Sequence, residues 1–386
     1  MEYMSARRAK MGQSLQQEII ELLAVSIRAN REALIAMWGE DSQYLRNAIS
    51  KLTRGGLISV SKTPWWTIRL TSKGVAQLTE WNEPLVDFYL RYSCNNSPGG
   101  NPSHKRAQCK AAEIVALAKR AGVMTGIEKP ARGDVERKLE GEQAALYLMK
   151  ELKFETGQKV GRAQISRASA VLLSPGINAL VYNVQGDNLT IKRAPETSAN
   201  FHVATLRQDV CERHAGLAEV NRSIIIGYDY GVALGLLTDP AKDGDGDEER
   251  KSKTLHDAIK DRAMTKTDML FVPLNGNGAL CLQLLIRYTQ EDIRRMVFTK
   301  AEIDAGRSNG RCEAIVKGMS CFEFVSMDLS KLLRIKERYE AGTESIGLVC
   351  LESQANFIRQ AMQTDDIPLR IIKDEALQQI LSRQEG

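Results

Sequence analysis

Residues 41–74 read "DSQYLRNAISKLTRGGLISVSKTPWWTIRLTSKG". Leu45, Ala48, Ile49 and Leu52 recur at the spacing of one helix face. Asp41 stands where a cap is needed, because its carboxylate can accept the free N–H groups of a first turn. Gly55-Gly56 end the helix. "LISVS" and "WTIRL" then alternate as two strands joined by "KTPW", and a further helix opens near Ser72. Upstream, Ile19, Leu23 and Ile27 recur every four residues, with Ile20 and Leu22 widening the stripe. "ANREALIAMWG" reads as a second, shorter helix that Gly39 breaks.

Helix, helix, turn, helix, hairpin is the order of a winged helix-turn-helix, expected over residues 1–80. The polar side of the third helix would present Gln43, Arg46, Asn47 and Ser50, side chains suited to base edges. Lys51 and Arg54 flank them, where phosphate contacts belong. In the second strand Trp66, Ile68 and Leu70 share parity, so Trp66 is expected to face the core. Trp65, Thr67 and Arg69 then point the other way, beside Lys62. Trp65 is the wing-tip candidate, lying against a sugar-phosphate edge or packing on a neighbouring domain. A winged helix can also serve as a protein-interaction module without DNA.

Charge favours the DNA reading. Residues 1–122 hold 17 Lys and Arg against 10 Asp and Glu, a net of +7, while the whole chain of 386 residues nets +5. The basic excess therefore sits in the N-terminal third, as on phosphate-binding surfaces. The length allows two or three domains. No run of about 18 apolar residues occurs, and no apolar stretch follows the basic N-terminus, so neither a membrane span nor a secretory signal is expected. Seven scattered cysteines without a CxxC read as reduced thiols of a cytoplasmic protein. With four histidines, none paired at ligand spacing, neither a metal site nor a cofactor is expected.

Residues 81–153 read as a helical linker or extension. Its amphipathic helix "KRAQCKAAEIVALAKRAGV" offers Lys105, Arg106 and Lys110 as backbone contacts, and "EQAALYLMKELK" reads as another helix. From 154 to 386 the texture is mixed α/β, giving an α+β or α/β chain overall. "DGDGDEE" is no EF-hand loop: from Asp243, the sixth and twelfth positions are Glu248 and Thr254, where Gly and Glu are needed. No GxxxxGK[ST] and no GxSxG occurs. "LNGNG" (274–278) reads as a hairpin turn between the strands "DMLFVP" and "ALCLQLLI". In a PD-(D/E)xK nuclease such a hairpin carries an acid and then a (D/E)xK triplet that hold a metal ion and orient water. Asp268 could be the first acid, but Gln283 and Leu285 stand where the second acid and the Lys belong. Such a fold would be degenerate and inactive, unless a displaced site used Glu196, Asp209, Glu212 or Asp229 as a metal-dependent endonuclease.

Three stretches carry a resemblance: "WTIRLTSKGVAQL", "SHKRAQCKAAEIVALAKRAGV" and "ISRASAVLLSPGINALVYNV". Together they resemble the replication–relaxation proteins of plasmids and integrative conjugative elements. That resemblance implies a DNA-binding protein of a mobile element, acting at a replication or transfer origin, with a nuclease-like second domain. By that resemblance Arg46, Asn47, Lys51 and the wing around Trp65 would be the DNA contacts. Double-stranded DNA is the expected partner, with a second copy of the chain and other replication or transfer proteins as further candidates. The competing reading is a repressor whose C-terminal domain senses an effector at a promoter.

Overall fold

The computed structural model describes residues 14–91, 101–131, 134, 136–141, 143–155, 167–174, 177–185, 190–191, 203–211, 222–238, 253–265, 267–342 and 344–383. The chain divides into two compact units, Met1–Ala131 with Leu146–Gln158, and Arg132–Ala145 with Lys159–Gly386. Both mix helices with sheet.

The first unit runs α1 (Leu15–Ser26), β1 (Ala29–Asn30), α2 (Arg31–Trp38), α3 (Gln43–Arg54), β2 (Ile58–Ser61), β3 (Thr67–Leu70) and α4 (Ser72–Val86). A π turn, Asp87–Arg91, follows, then α5 (Pro102–Arg120). The chain re-enters this unit at Leu146, within β4 (Ala145–Leu148), and continues as α6 (Met149–Glu155). The local rules are visible at each helix start, because a side-chain oxygen there accepts an otherwise orphaned N–H. Asn30 caps α2, Ser42 caps α3, Thr71 caps α4 and Asn101 caps α5. Gly39 ends α2 with φ near +99°, the left-handed region open to glycine. Thr71 also donates its hydroxyl to the Gly56 carbonyl at 2.6 Å, which fastens the end of the hairpin to the end of α3.

The strands form an antiparallel sheet in the order β1-β3-β2. Ile58 faces Leu70 and Ser61 faces Thr67 across β2 and β3, while Ala29 faces Ile68 across β1 and β3. The two-residue β1 is too short for a periodicity reading, yet it makes β3 central. Ile19, Ile20, Leu23, Leu34, Leu45, Leu52, Ile68 and Leu78 are fully buried. Each such side chain stabilises the unit by roughly 1.5–3 kcal/mol relative to exposure.

The parity expected for β3 is not kept. Thr67 and Ile68 are both buried, and Trp66 is only half-buried. Both faces of β3 are covered, because Arg28 reaches Thr67 Oγ1 at 2.9 Å and holds Gln108 of α5 with its Nε. Residues 102–120 therefore do not stand apart as an extension. α5 packs on α1 and α2, its buried Glu113 accepts from Asn30 Nδ2 at 2.5 Å, and Lys119 pairs with Glu21 of α1 at 3.1 Å. "EQAALYLMKELK" is not one helix either: its apolar core, Ala145–Leu148, is buried on all four positions as β4, and α6 begins only at Met149.

The second unit contains β5 (Ala170–Leu173), β6 (Asn178–Asn183), β7 (Thr190–Ile191), α7 (203–210), β8 (Arg222–Gly227), α8 (Tyr230–Thr238), β9 (Lys253–Thr254) and α9 (Leu255–Thr265). It continues with β10 (Met269–Pro273), α10 (Gly278–Arg287), α11 (Gln290–Val297), α12 (Lys300–Asn309), β11 (Ala314–Val316) and β12 (Met319–Glu323). α13 (Leu329–Glu340), β13 (Ile346–Leu351), α14 (Ala355–Met362), β14 (Leu369–Ile372) and α15 (Asp374–Arg383) complete it. One sheet carries β10-β8-β6-β5 in that order, parallel except that β5 runs antiparallel to β6. A second carries β11-β12-β13-β14, with only β11 antiparallel.

The largest departure from expectation lies at residues 274–287. "LNGNG" is a strand-to-helix turn, and "ALCLQLLI" is helix α10. Ala279, Cys281, Leu282, Leu284, Leu285 and Ile286 are buried there, so a continuous apolar run that suits a buried strand equally suits a helix packed on several sides. Gln283 and Leu285 consequently do not lie on a strand beside β10. The two-strand arrangement from which a degenerate nuclease centre was expected is not formed by these residues.

Candidate nucleic-acid interface

α3 is built as a two-sided rod. Leu45, Ala48 and Leu52 are buried, and this side meets α1. Gln43, Arg46, Asn47, Ser50, Lys51 and Arg54 are all exposed. Their spacing of three and four residues places them along one strip of the helix. Gln43 Nε2 donates to Asn47 Oδ1 at 3.0 Å, so the two amides are aligned with each other on that strip. Tyr44 is also exposed, at 58%, with its ring centroid 5.2 Å from that of Trp38.

Asp41 does not cap α3; Ser42 does, accepting from Leu45 N. Both residues are cap formers, and the oxygen at the right distance from the third helical N–H belongs to Ser42. Asp41 is freed for another task. Its Oδ1 accepts from Arg46 Nε and its Oδ2 from Arg46 Nη2, both at 3.1 Å, and it also accepts from Arg31. Arg46 and then Arg31 hold the Asp41 carboxyl below the usual carboxylate range.

On the hairpin, Lys62 and Arg69 are exposed, and Arg69 Nε donates to Ser59 Oγ at 3.2 Å. Trp65 is half-buried and is not a free tip. The Arg106 guanidinium lies 5.8 Å from its ring centroid, a cation–π distance. Burial pushes the Cys109 thiol up to about 11, against a smaller opposing effect of a hydrogen bond with Trp65. The partner of Trp65 is thus α5 of its own unit. Arg106 is exposed beside the hairpin, whereas Lys105 and Lys110 are half-buried.

Of the acids considered for catalysis, Asp268 and Asp229 have side-chain partners in the fold. Asp268 pairs with Arg222 at 2.8 Å and accepts from Gln290 Nε2 at 2.8 Å. Asp229 accepts from the N–H groups of Gly231 and Val232 at the start of α8. At Asp209 it is the main-chain carbonyl, not the carboxylate, that accepts from Lys138. Glu196, Glu212 and the acidic run 243–249 lie outside the described residues. Among the described residues no group of three or more His, Cys, Asp or Glu could hold a metal ion, and no helix is long and apolar enough to cross a membrane.

Against family models, curated proteins and solved structures, the chain has no match. Sequence reading had assembled the α3 strip correctly as a set of neighbours but had missed Arg31, Asp41 and Tyr44 as members of this surface. The adjacent cap formers Asp41-Ser42 were the available signal: only one of two can cap, and the other is left to bind a cation.

Proposed function

We propose that the first unit is a winged helix-turn-helix that binds double-stranded DNA, with α3 entering the major groove and the β2–β3 hairpin as the wing. The observation that carries this reading is the α3 strip, where six polar or basic side chains are exposed on one side and three apolar ones are buried on the other. Arg46, Asn47 and Gln43 can read base edges. Lys51, Arg54, Lys62 and Arg69 can neutralise phosphates, and Arg106, held near the hairpin by Trp65, extends the same basic surface. Action at an origin or promoter of a mobile element is proposed from the resemblance to replication–relaxation proteins, as is a role without chemistry of its own.

Binding is expected to weaken steeply with salt, because each neutralised phosphate releases counterions. Arg46→Ala should weaken binding to a site selected from a randomised duplex library by about tenfold, and relax preference at one base pair. Lys51→Ala should weaken binding to all duplexes alike and reduce the salt slope by about one. Gel shifts over a salt series measure both, and an Arg46→Ala protein with undiminished preference would count against α3 as the reading helix. The absence of chemistry is tested by incubating supercoiled plasmid with the protein and Mg²⁺ or Mn²⁺. No nicking is expected; metal-dependent nicking that Asp268→Ala abolishes would make the protein an endonuclease.

A further inference from the structure

We infer that Asp41 is a specificity-determining residue, one that orients Arg46 toward a guanine and repels unselected phosphate. The inference rests on the DNA-binding reading above and concerns the same surface. Arg46 is a long side chain, 56% exposed, and unrestrained it would sample many rotamers. Here Asp41 is its partner on two atoms, Nε and Nη2, each at 3.1 Å. A guanidinium carries five N–H donors in a planar fork. Two are taken by Asp41, which leaves one donor of Nη1 and one of Nη2 side by side on the outer edge of the same plane. A guanine needs two, at O6 and N7. The carboxylate therefore fixes the plane of the fork without consuming the edge that reads a base, and the ordering cost is met before DNA arrives.

Asp41 is itself anchored. It sits one residue before the cap of α3 and also accepts from Arg31, the first residue of α2, so it bridges the starts of both helices. Its charge has a second consequence. A carboxylate at the rim of a phosphate-binding surface opposes every duplex equally, and only a duplex that engages the oriented Arg46 recovers the loss. Selectivity then arises from a repulsive as well as an attractive element.

The test uses the full-length protein, a duplex selected by the wild type from a randomised library, its single-base-pair variants and an unselected duplex. Asp41→Asn is expected to lose about tenfold in discrimination at one G·C pair, the same pair affected by Arg46→Ala. Its binding to the unselected duplex should be equal or tighter. The double variant should discriminate no worse than Arg46→Ala alone, since the two residues act as one unit. Arg31→Gln, which removes the other half of the bridge, should keep full discrimination. Thermal melting checks that each variant folds. Full discrimination in Asp41→Asn alongside its loss in Arg46→Ala would overturn this inference and leave the DNA-binding reading standing. Equal loss in Arg31→Gln would reduce Asp41 to a structural tie and also overturn it. A wild type that binds DNA without salt dependence or selection would remove both readings.

Discussion

Lys129→Ala is expected to lower the unfolding free energy of the first unit by about 3–5 kcal/mol, the usual penalty for breaking a fully buried ion pair from one side. Lys129 Nζ lies 2.6 Å from Glu151 Oε2 and 2.8 Å from the Leu146 carbonyl, and also reaches the Thr125 carbonyl at 3.3 Å. Only 5% of the Lys129 side chain and 2% of the Glu151 side chain are exposed. Glu151 in turn accepts from the Tyr89 hydroxyl at 2.9 Å and the Leu148 N–H at 3.2 Å. One ion pair thus joins three separate stretches: the π turn, the chain after α5, and the start of α6. Truncating the lysine leaves a charged carboxylate in an apolar site with hydrogen-bond donors too few to replace the cation. Urea unfolding followed by circular dichroism measures the loss. The control is Lys129→Met with Glu151→Leu, which removes both charges and should recover most of the stability. A single variant within about 1 kcal/mol of wild type would show that the pair is not the tie described here.

Lys331→Ala is expected to cost the second unit a similar amount, about 3–5 kcal/mol at neutral pH. The Lys331 ammonium pairs with Glu323 at 2.8 Å and Glu313 at 3.1 Å, and Arg294 also reaches Glu313 at 3.4 Å. Burial alone would lower the Lys331 pKa, but Glu313 and Glu323 outweigh it and hold the ammonium above its ordinary value. Burial likewise opposes the charged form of Glu313, and Lys331 is the first of the groups that overcome this and keep its carboxyl below the usual range. A depressed carboxyl contributes stability above its unfolded pKa, about 4.3 for Glu, and that contribution fades as pH falls through the folded value. Removing the ammonium removes the largest of the contributions to that depression. The deficit of Lys331→Ala relative to wild type should therefore be largest near pH 7 and shrink as the pH falls below the unfolded carboxyl pKa, since wild type loses the contribution of its depressed Glu313 carboxyl there. Paired unfolding curves from pH 7 to pH 3 give the answer, and a deficit constant across that range would argue against charge as its cause.

Where local rules and packing agreed, reading along the chain succeeded. α3 was legible because its apolar side, its polar side, its cap region and its Gly-Gly stop all lie within one short stretch. "LISVS" and "WTIRL" were legible as strands for the same reason. β1 was not, because two residues have no period; only their pairing with Thr67 and Ile68 creates the strand. α8, α9 and α12 have weak or interrupted apolar stripes, as in "KAEIDAGRSN", that give no clear period. The reading of 279–286 failed for a different reason. Apolar residues on nearly every position carry no information about period, and the packing around the segment selected helix over strand. The nuclease-like comparison depended on that choice and went with it.

Residue order alone was enough to show where the positive charge gathers, which side of α3 is polar and where the hairpin turns, because each follows from neighbours within one or two turns. It could not show that α5 closes over β3 and occupies Trp65, that Asp41 holds Arg46, or that Lys129 meets Glu151. Those pairings join residues far apart along the chain or compete with an equally good local alternative. They exist only because burial makes an unpaired polar group costly, and the folded chain supplies the partner.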